Sequence, residues 1–382
     1  MSLIASSLRQ ALRASRSFSI VSQLVSLLEN TTGMLRRLFN WYGKRTADAY
    51  ALRVKQSISD EEWNELVELA RRCYQSDPTF RVITQRGLGS DPSAPGPMQN
   101  PEEANKMWGG PELEAILSPE RVLANPLLTP YRRPALRLLP AAQREILDLT
   151  PILLVPRFNF NAFASKFKVS DRKFVQMPFG FVFGLRCVAE IALGLYKHDK
   201  LQERRHDYVE ALSVLATELS GPTLNLYVNV FSKLERKARS RPSLSIIHCI
   251  HVMGVFLLLH EFGHVGLDHW IPPKVQQLSR QEKERLRSQE LGADEFATRC
   301  ILRAPKGTVV PWDDVREMHS LFILMLLLTL ETHYRVRSLK VPEYYPSFSE
   351  RSQSLISTLE APPRLRTSID ELASQFALAQ LS

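Results

Sequence analysis

Ser245 to His264 read Ser-Ile-Ile-His-Cys-Ile-His-Val-Met-Gly-Val-Phe-Leu-Leu-Leu-His-Glu-Phe-Gly-His, an apolar run that ends in a His-Glu-x-x-His motif. The run has no proline, and no Asp, Glu, Lys or Arg before Glu261, as expected of a helix buried on all sides rather than one that shows a face to water. On such a helix positions i and i+4 share a face, so His260 and His264 can reach one metal ion while Glu261 projects beside it as a base. With 9 histidines in 382 residues, the motif alone arises by chance in roughly one such chain in a hundred. Its setting in a core helix therefore carries much of the weight.

A catalytic zinc needs a third protein ligand and keeps a fourth position open. The pattern with Gly and His at the third and sixth positions after the second histidine fails, because Leu267 and Trp270 stand there, with Gly266 and His269 one residue early. The run Glu290-Leu-Gly-Ala-Asp294 on a second predicted helix offers the alternative. Glu290 and Asp294 are again i and i+4, so Glu290 can bind the metal while Asp294 accepts the remaining ring N–H of a ligand histidine. His269 is read as facing water or a loop. His251 lies about 180° and His248 about 120° around the helix from His260, and both are read as core or interface histidines. Cys73, Cys187, Cys249 and Cys300 have no short paired spacing, which excludes a zinc ribbon or disulfide scaffold and fits reduced thiols.

Around the two motifs the chain resembles Glu-zincin metallopeptidases with His-Glu-x-x-His followed by Glu-x-x-Ala-Asp. Lit-type phage-exclusion peptidases are the nearest comparison, with ImmA/IrrE-like and HtpX-type enzymes more distant. Phe158 to Ala164 resembles the Asn-Ala segment ahead of the active-site helix, and Phe179 to Leu185 the strand and turn into the next helix. Tyr345-Pro-Ser-Phe-Ser-Glu-Arg351 is similar to a His-Pro-x-x-x-x-Arg element, with Tyr in place of His and the Arg one residue early. The resemblance covers about residues 150–360. It implies a Zn2+-dependent endopeptidase that cuts an intracellular protein target, in phage defence or stress regulation; the alternatives are a mitochondrial quality-control metallopeptidase and a zincin-like sensor or binding protein without turnover. Tyr345 or His333 is the expected oxyanion donor, and Arg351 the partner of the site's scaffold or of an acid.

The expected fold is mainly α (α+β), a zincin-like domain with a small sheet preceded by a helical region. A Pro/Gly/Ser-rich stretch divides the chain into a helical region 1–86, a linker 87–110 and the catalytic domain 111–382. Ser59-Asp-Glu-Glu62 reads as a capping box opening a helix, and the prolines of 111–156 call for short helices and extended connections. Two segments are candidates for a strand edge that lines up substrate, the one at Asn161 first and 224–230 second. Met1 to Leu28 has three arginines and no acid; it fits a mitochondrial presequence and also an amphipathic helix, the reading preferred here. A cytoplasmic location is expected, with the mitochondrion as the alternative. Net charge is +9 without the basic and aromatic interleaving of a nucleic-acid module. The apolar runs 246–259 and 321–330 read as too short to span a membrane. A protein substrate is the expected partner; oligomeric state is not legible.

Overall fold

The computed structural model describes residues 49–76, 123, 128–155, 162–178, 184–191, 244–272, 278–302, 323, 326–327 and 344–359. His333, the Asn161 position, the 224–230 segment, the 87–110 stretch and Met1 to Leu28 lie outside them. The described residues are mostly helical: α1 (Asp60–Ser76), α2 (Thr129–Leu138), α3 (Ala141–Asp148), α4 (Leu244–Gly266), α5 (Arg280–Leu302) and α6 (Phe348–Leu359), with further helical residues at 49–57 and 184–191. Three short strands, β1 (Ile152–Val155), β2 (Phe163–Lys166) and β3 (Lys173–Pro178), form one mixed sheet in the order β1-β3-β2. The mainly α fold with a small sheet is as the sequence suggests.

The strands differ in the way their positions require. β1 is apolar throughout and buried at all four residues, whereas β2 at the other margin is half-exposed. β1 pairs parallel to β3, and β2 pairs antiparallel with Phe163 opposite Gln176 and Lys166 opposite Lys173. The Phe167 N–H donates to the Arg172 carbonyl at 3.0 Å, closing the β2–β3 hairpin. Antiparallel pairs alternate between bonded and non-bonded, so counting back from this closure places Ala164 at a non-bonded pair. Its N–H and C=O therefore face away from β3, across the margin of the sheet toward α4.

Residues 49–72 share their core with the sheet. Tyr50, Val54, Leu66, Phe167 and Phe174 form one buried cluster, and Ala70 packs with Leu153 and Val155. The buried Tyr50 hydroxyl donates to the Thr150 carbonyl at 2.7 Å and accepts the Ile152 N–H at 3.1 Å, tying this helical region to the start of β1. The predicted capping box is present: the Ser59 N–H meets Glu62 Oε2 at 2.9 Å, and the Glu62 N–H meets Ser59 Oγ at 3.2 Å. Two more of the same kind open α5 (Ser279 with Glu282) and α6 (Ser347 with Glu350).

α4 is the axis of the core, packed against α2, α3, α5, β2 and β3. On the α2 side Gly254 permits close contact, since a Cβ there would lie 2.3 Å from the Tyr131 ring. On the α5 side Gly263 does the same, where a Cβ would lie 3.1 Å from the Ala293 Cα. The helix runs through the motif to Gly266, as placing both histidines on one helix requires. His248–Gly266 is long and apolar enough to cross a membrane by length and composition, which corrects the expectation of a run too short to do so. Within the fold most of that stretch is buried, and packing on every side accounts for its hydropathy. Among the later apolar run, Ile323, Leu326 and Leu327 are helical and buried.

Candidate metal centre

The small pair Gly263 and Ala293 sits inside both motifs, so a close approach of α4 and α5 falls where their functional side chains face one another. His260 Nε2 lies 3.2 Å from His264 Nε2 and 3.4 Å from Glu290 Oε2, and His264 Nε2 lies 3.4 Å from Glu290 Oε1. Four ligands around zinc with bonds of about 2.0–2.1 Å are separated by roughly 3.3 Å. The three observed separations match that spacing, and the donor set of two imidazole nitrogens and one carboxylate suits zinc. The residues therefore fit such an ion.

Asp294 stands where the i, i+4 argument puts it. Its Oδ1 is 2.9 Å from His260 Nδ1, and it is fully buried. The same carboxylate takes Arg351 Nε at 2.7 Å on Oδ2 and Arg351 Nη2 at 2.6 Å on Oδ1. Arg351 also donates to the Tyr345 hydroxyl, with its guanidinium 5.0 Å from the centre of that ring. Both roles suggested for Arg351 thus fall on one partner, the acid that supports His260. Arg287 of α5 bonds Glu350, so the α6 capping box that aims Arg351 is itself anchored to α5.

Burial raises the Glu261 carboxyl to about 7, assisted by the charge of Glu290 and opposed by His260, the Ala164 backbone N–H and Arg351. One of its oxygens, Oε2, is buried with no hydrogen-bond partner among the described residues. Burial works against charge on His260, yet its bonds to Asp294 and Glu290 lift it to about 10. Burial also disfavours charge on Glu290 and Asp294, but the histidines and Arg351 hold both down to about 2. His264 is lowered to about 3 and His269 to about 4, mainly by burial.

A cavity of about 320 Å³ opens on this cluster. Ala162 to Ser165 form one wall, Phe256, Leu257 and Leu327 another, and Trp270, Ile271, Pro272 and Leu286 an apolar third. Tyr344 and Tyr345 also line it. His260, Glu261, His264, Glu290, Asp294 and Tyr345 are brought together. His269 departs from expectation: it does not face water but is buried, with Nδ1 3.0 Å from His264 Nδ1. His251 stacks against Tyr131 with ring centres 6.3 Å apart, away from the cavity. Cys187, Cys249 and Cys300 are buried. The apolar wall of Trp270, Ile271, Pro272 and Leu286 has no local signal in the sequence that marks it.

Residues 236–370, about a third of the chain, match the family model described as Peptidase U49. The match supports a peptidase function. No curated protein and no solved structure matches the chain.

Proposed function

We propose that the protein is a zinc-dependent endopeptidase in which His260, His264 and Glu290 hold the metal and Glu261 is the base. The observation that carries this reading is the set of separations of 3.2, 3.4 and 3.4 Å among the three donor groups. When bound, zinc would supply Lewis acidity to a peptide carbonyl and increase the acidity of water. Glu261 takes a proton from that water and passes it to the leaving amine. Burial of the Glu261 carboxyl, which raises it above the ordinary carboxylate range in the metal-free fold, makes it a stronger base for that task. Asp294 fixes the ring of His260, and Arg351 fixes Asp294. Tyr345, braced by Arg351 at the cavity wall, is the proposed donor to the oxyanion.

β2 supplies the means of aligning a substrate. Among the described residues no strand pairs with its outer margin, and Ala162 to Ser165 line the cavity. An extended peptide added there as a further strand would pass its backbone across Glu261. The buried thiols and the resemblance to Lit-type enzymes support an intracellular, cytoplasmic setting and a dedicated protein target, in phage defence or stress regulation. The reading is tested by sequencing new protein N-termini in cells that express wild type or Glu261→Gln. New termini in wild type alone are expected. Identical sets in both would refute hydrolysis through Glu261.

A further inference from the structure

The end of α4 folds back on itself. The Asp268 N–H donates to the Val265 carbonyl at 3.2 Å, and the His269 N–H to the His264 carbonyl at 3.0 Å, while Asp268 takes a left-handed φ of 51°. Those two bonds and that backbone conformation form a Schellman stop, which satisfies the last carbonyls of the helix and reverses the chain. Glycine usually fills the left-handed position; an acid here accepts some strain, and the exposed Asp268 carboxylate meets Lys173 Nζ at 2.5 Å on β3. The residue that follows is thereby returned over the helix end. His269 arrives buried, its Nδ1 3.0 Å from His264 Nδ1 and its ring 76° to that of His264.

From this geometry we infer that His269 is the positioning residue for His264, as Asp294 is for His260. The inference rests on the metal reading above and deepens it. At 3.0 Å one proton fits between two Nδ1 atoms. If His264 Nε2 is to keep its lone pair for a metal, that proton belongs to His264 Nδ1, and His269 accepts it with its own proton on Nε2. His269 cannot itself be a ligand of the same ion, because it touches the opposite side of the His264 ring from Nε2. The two ligand histidines are thus oriented from two directions, one by a carboxylate on α5 and one by the stop of their own helix. A hydrogen bond from the ring fixes its tautomer and rotation, and loss of such a partner costs 10–100-fold in metal affinity.

The test is zinc affinity by chelator competition on the full-length protein as wild type, His269→Leu and His269→Asn. The Asn Oδ1 is as many bonds from the backbone as the imidazole Nδ1, so it can accept the same proton. Affinity is expected to fall 10–100-fold in His269→Leu and to return to within about threefold of wild type in His269→Asn. Equal affinity in all three, or an equal loss in both variants, overturns the inference while leaving the metal reading intact. A wild type that binds no zinc overturns the metal reading and this inference with it. Should His269→Leu fail to fold, nitrogen-15 spectra of zinc-loaded wild type decide: a slowly exchanging proton on His264 Nδ1 is expected, and its absence contradicts the assignment.

Discussion

Replacing Arg351 by Met is expected to cost the metal-free protein about 3 kcal/mol, even though the residue lies on a different helix from every proposed ligand. Arg351 places two charge-assisted hydrogen bonds of 2.7 and 2.6 Å on a fully buried carboxylate. Removing one partner of a buried pair typically costs about 3–5 kcal/mol, because the remaining charge keeps its desolvation penalty and loses its compensation. The lower end applies here, since His260 still bonds Asp294 Oδ1. Adding Asp294→Asn to Arg351→Met should then restore stability. The amide still accepts from His260, and only a neutral NH2 is left unpaired, at about 1–2 kcal/mol. The double variant is therefore expected to be more stable than Arg351→Met by about 1–2 kcal/mol. Urea unfolding in the presence of a chelator measures all four species without interference from metal. An Arg351→Met variant within 0.5 kcal/mol of wild type, roughly the scatter of neutral surface changes, would refute the reasoning, as would a double variant less stable than either single one.

Further outcomes follow from the same contacts. Asp294 titrates at about 2 in the fold against 3.8 ordinarily, so its charged form stabilises the native state. That contribution, roughly 2 kcal/mol, is present above pH 4 and is lost as pH falls through about 2; urea midpoints of chelated protein between pH 5 and 2 should drop, and drop less in Arg351→Met. Gly263→Val should force α4 and α5 apart, since even a Cβ would meet Ala293 Cα at 3.1 Å. A cost of about 1–3 kcal/mol and a weaker hold on zinc are expected in urea unfolding and chelator competition, and an unchanged affinity would show that the close approach does not set the ligand spacing.

The site was legible in the sequence where its geometry is local. Helical periodicity alone puts His260 beside His264 and Glu290 beside Asp294, and the small residues Gly263 and Ala293 inside the motifs let those faces meet. The capping box at Ser59 was legible for the same reason, and the equivalent patterns Ser279-x-x-Glu282 and Ser347-x-x-Glu350 carried as plain a signal. His269 was not legible by periodicity, because position i+5 belongs to another face of a continuing helix. It reaches His264 only because the chain reverses at Asp268. The sheet order is similarly non-local: β1 pairs with β3 across the intervening β2, and no short-range pattern specifies that. The apolar stretch of α4 is longer than the run 246–259, since its hydropathy persists across His260, Glu261 and His264 to Gly266, where those groups are satisfied inside the fold.

The most direct test of the account is zinc content per chain, by elemental analysis after dialysis, in wild type, Glu261→Gln and Glu290→Gln, together with hydrolysis by each. One zinc in wild type and in Glu261→Gln, hydrolysis in wild type alone, and a marked loss of zinc in Glu290→Gln are the predicted results. Full zinc in Glu290→Gln, or hydrolysis by Glu261→Gln at the wild-type rate, would contradict the central claim.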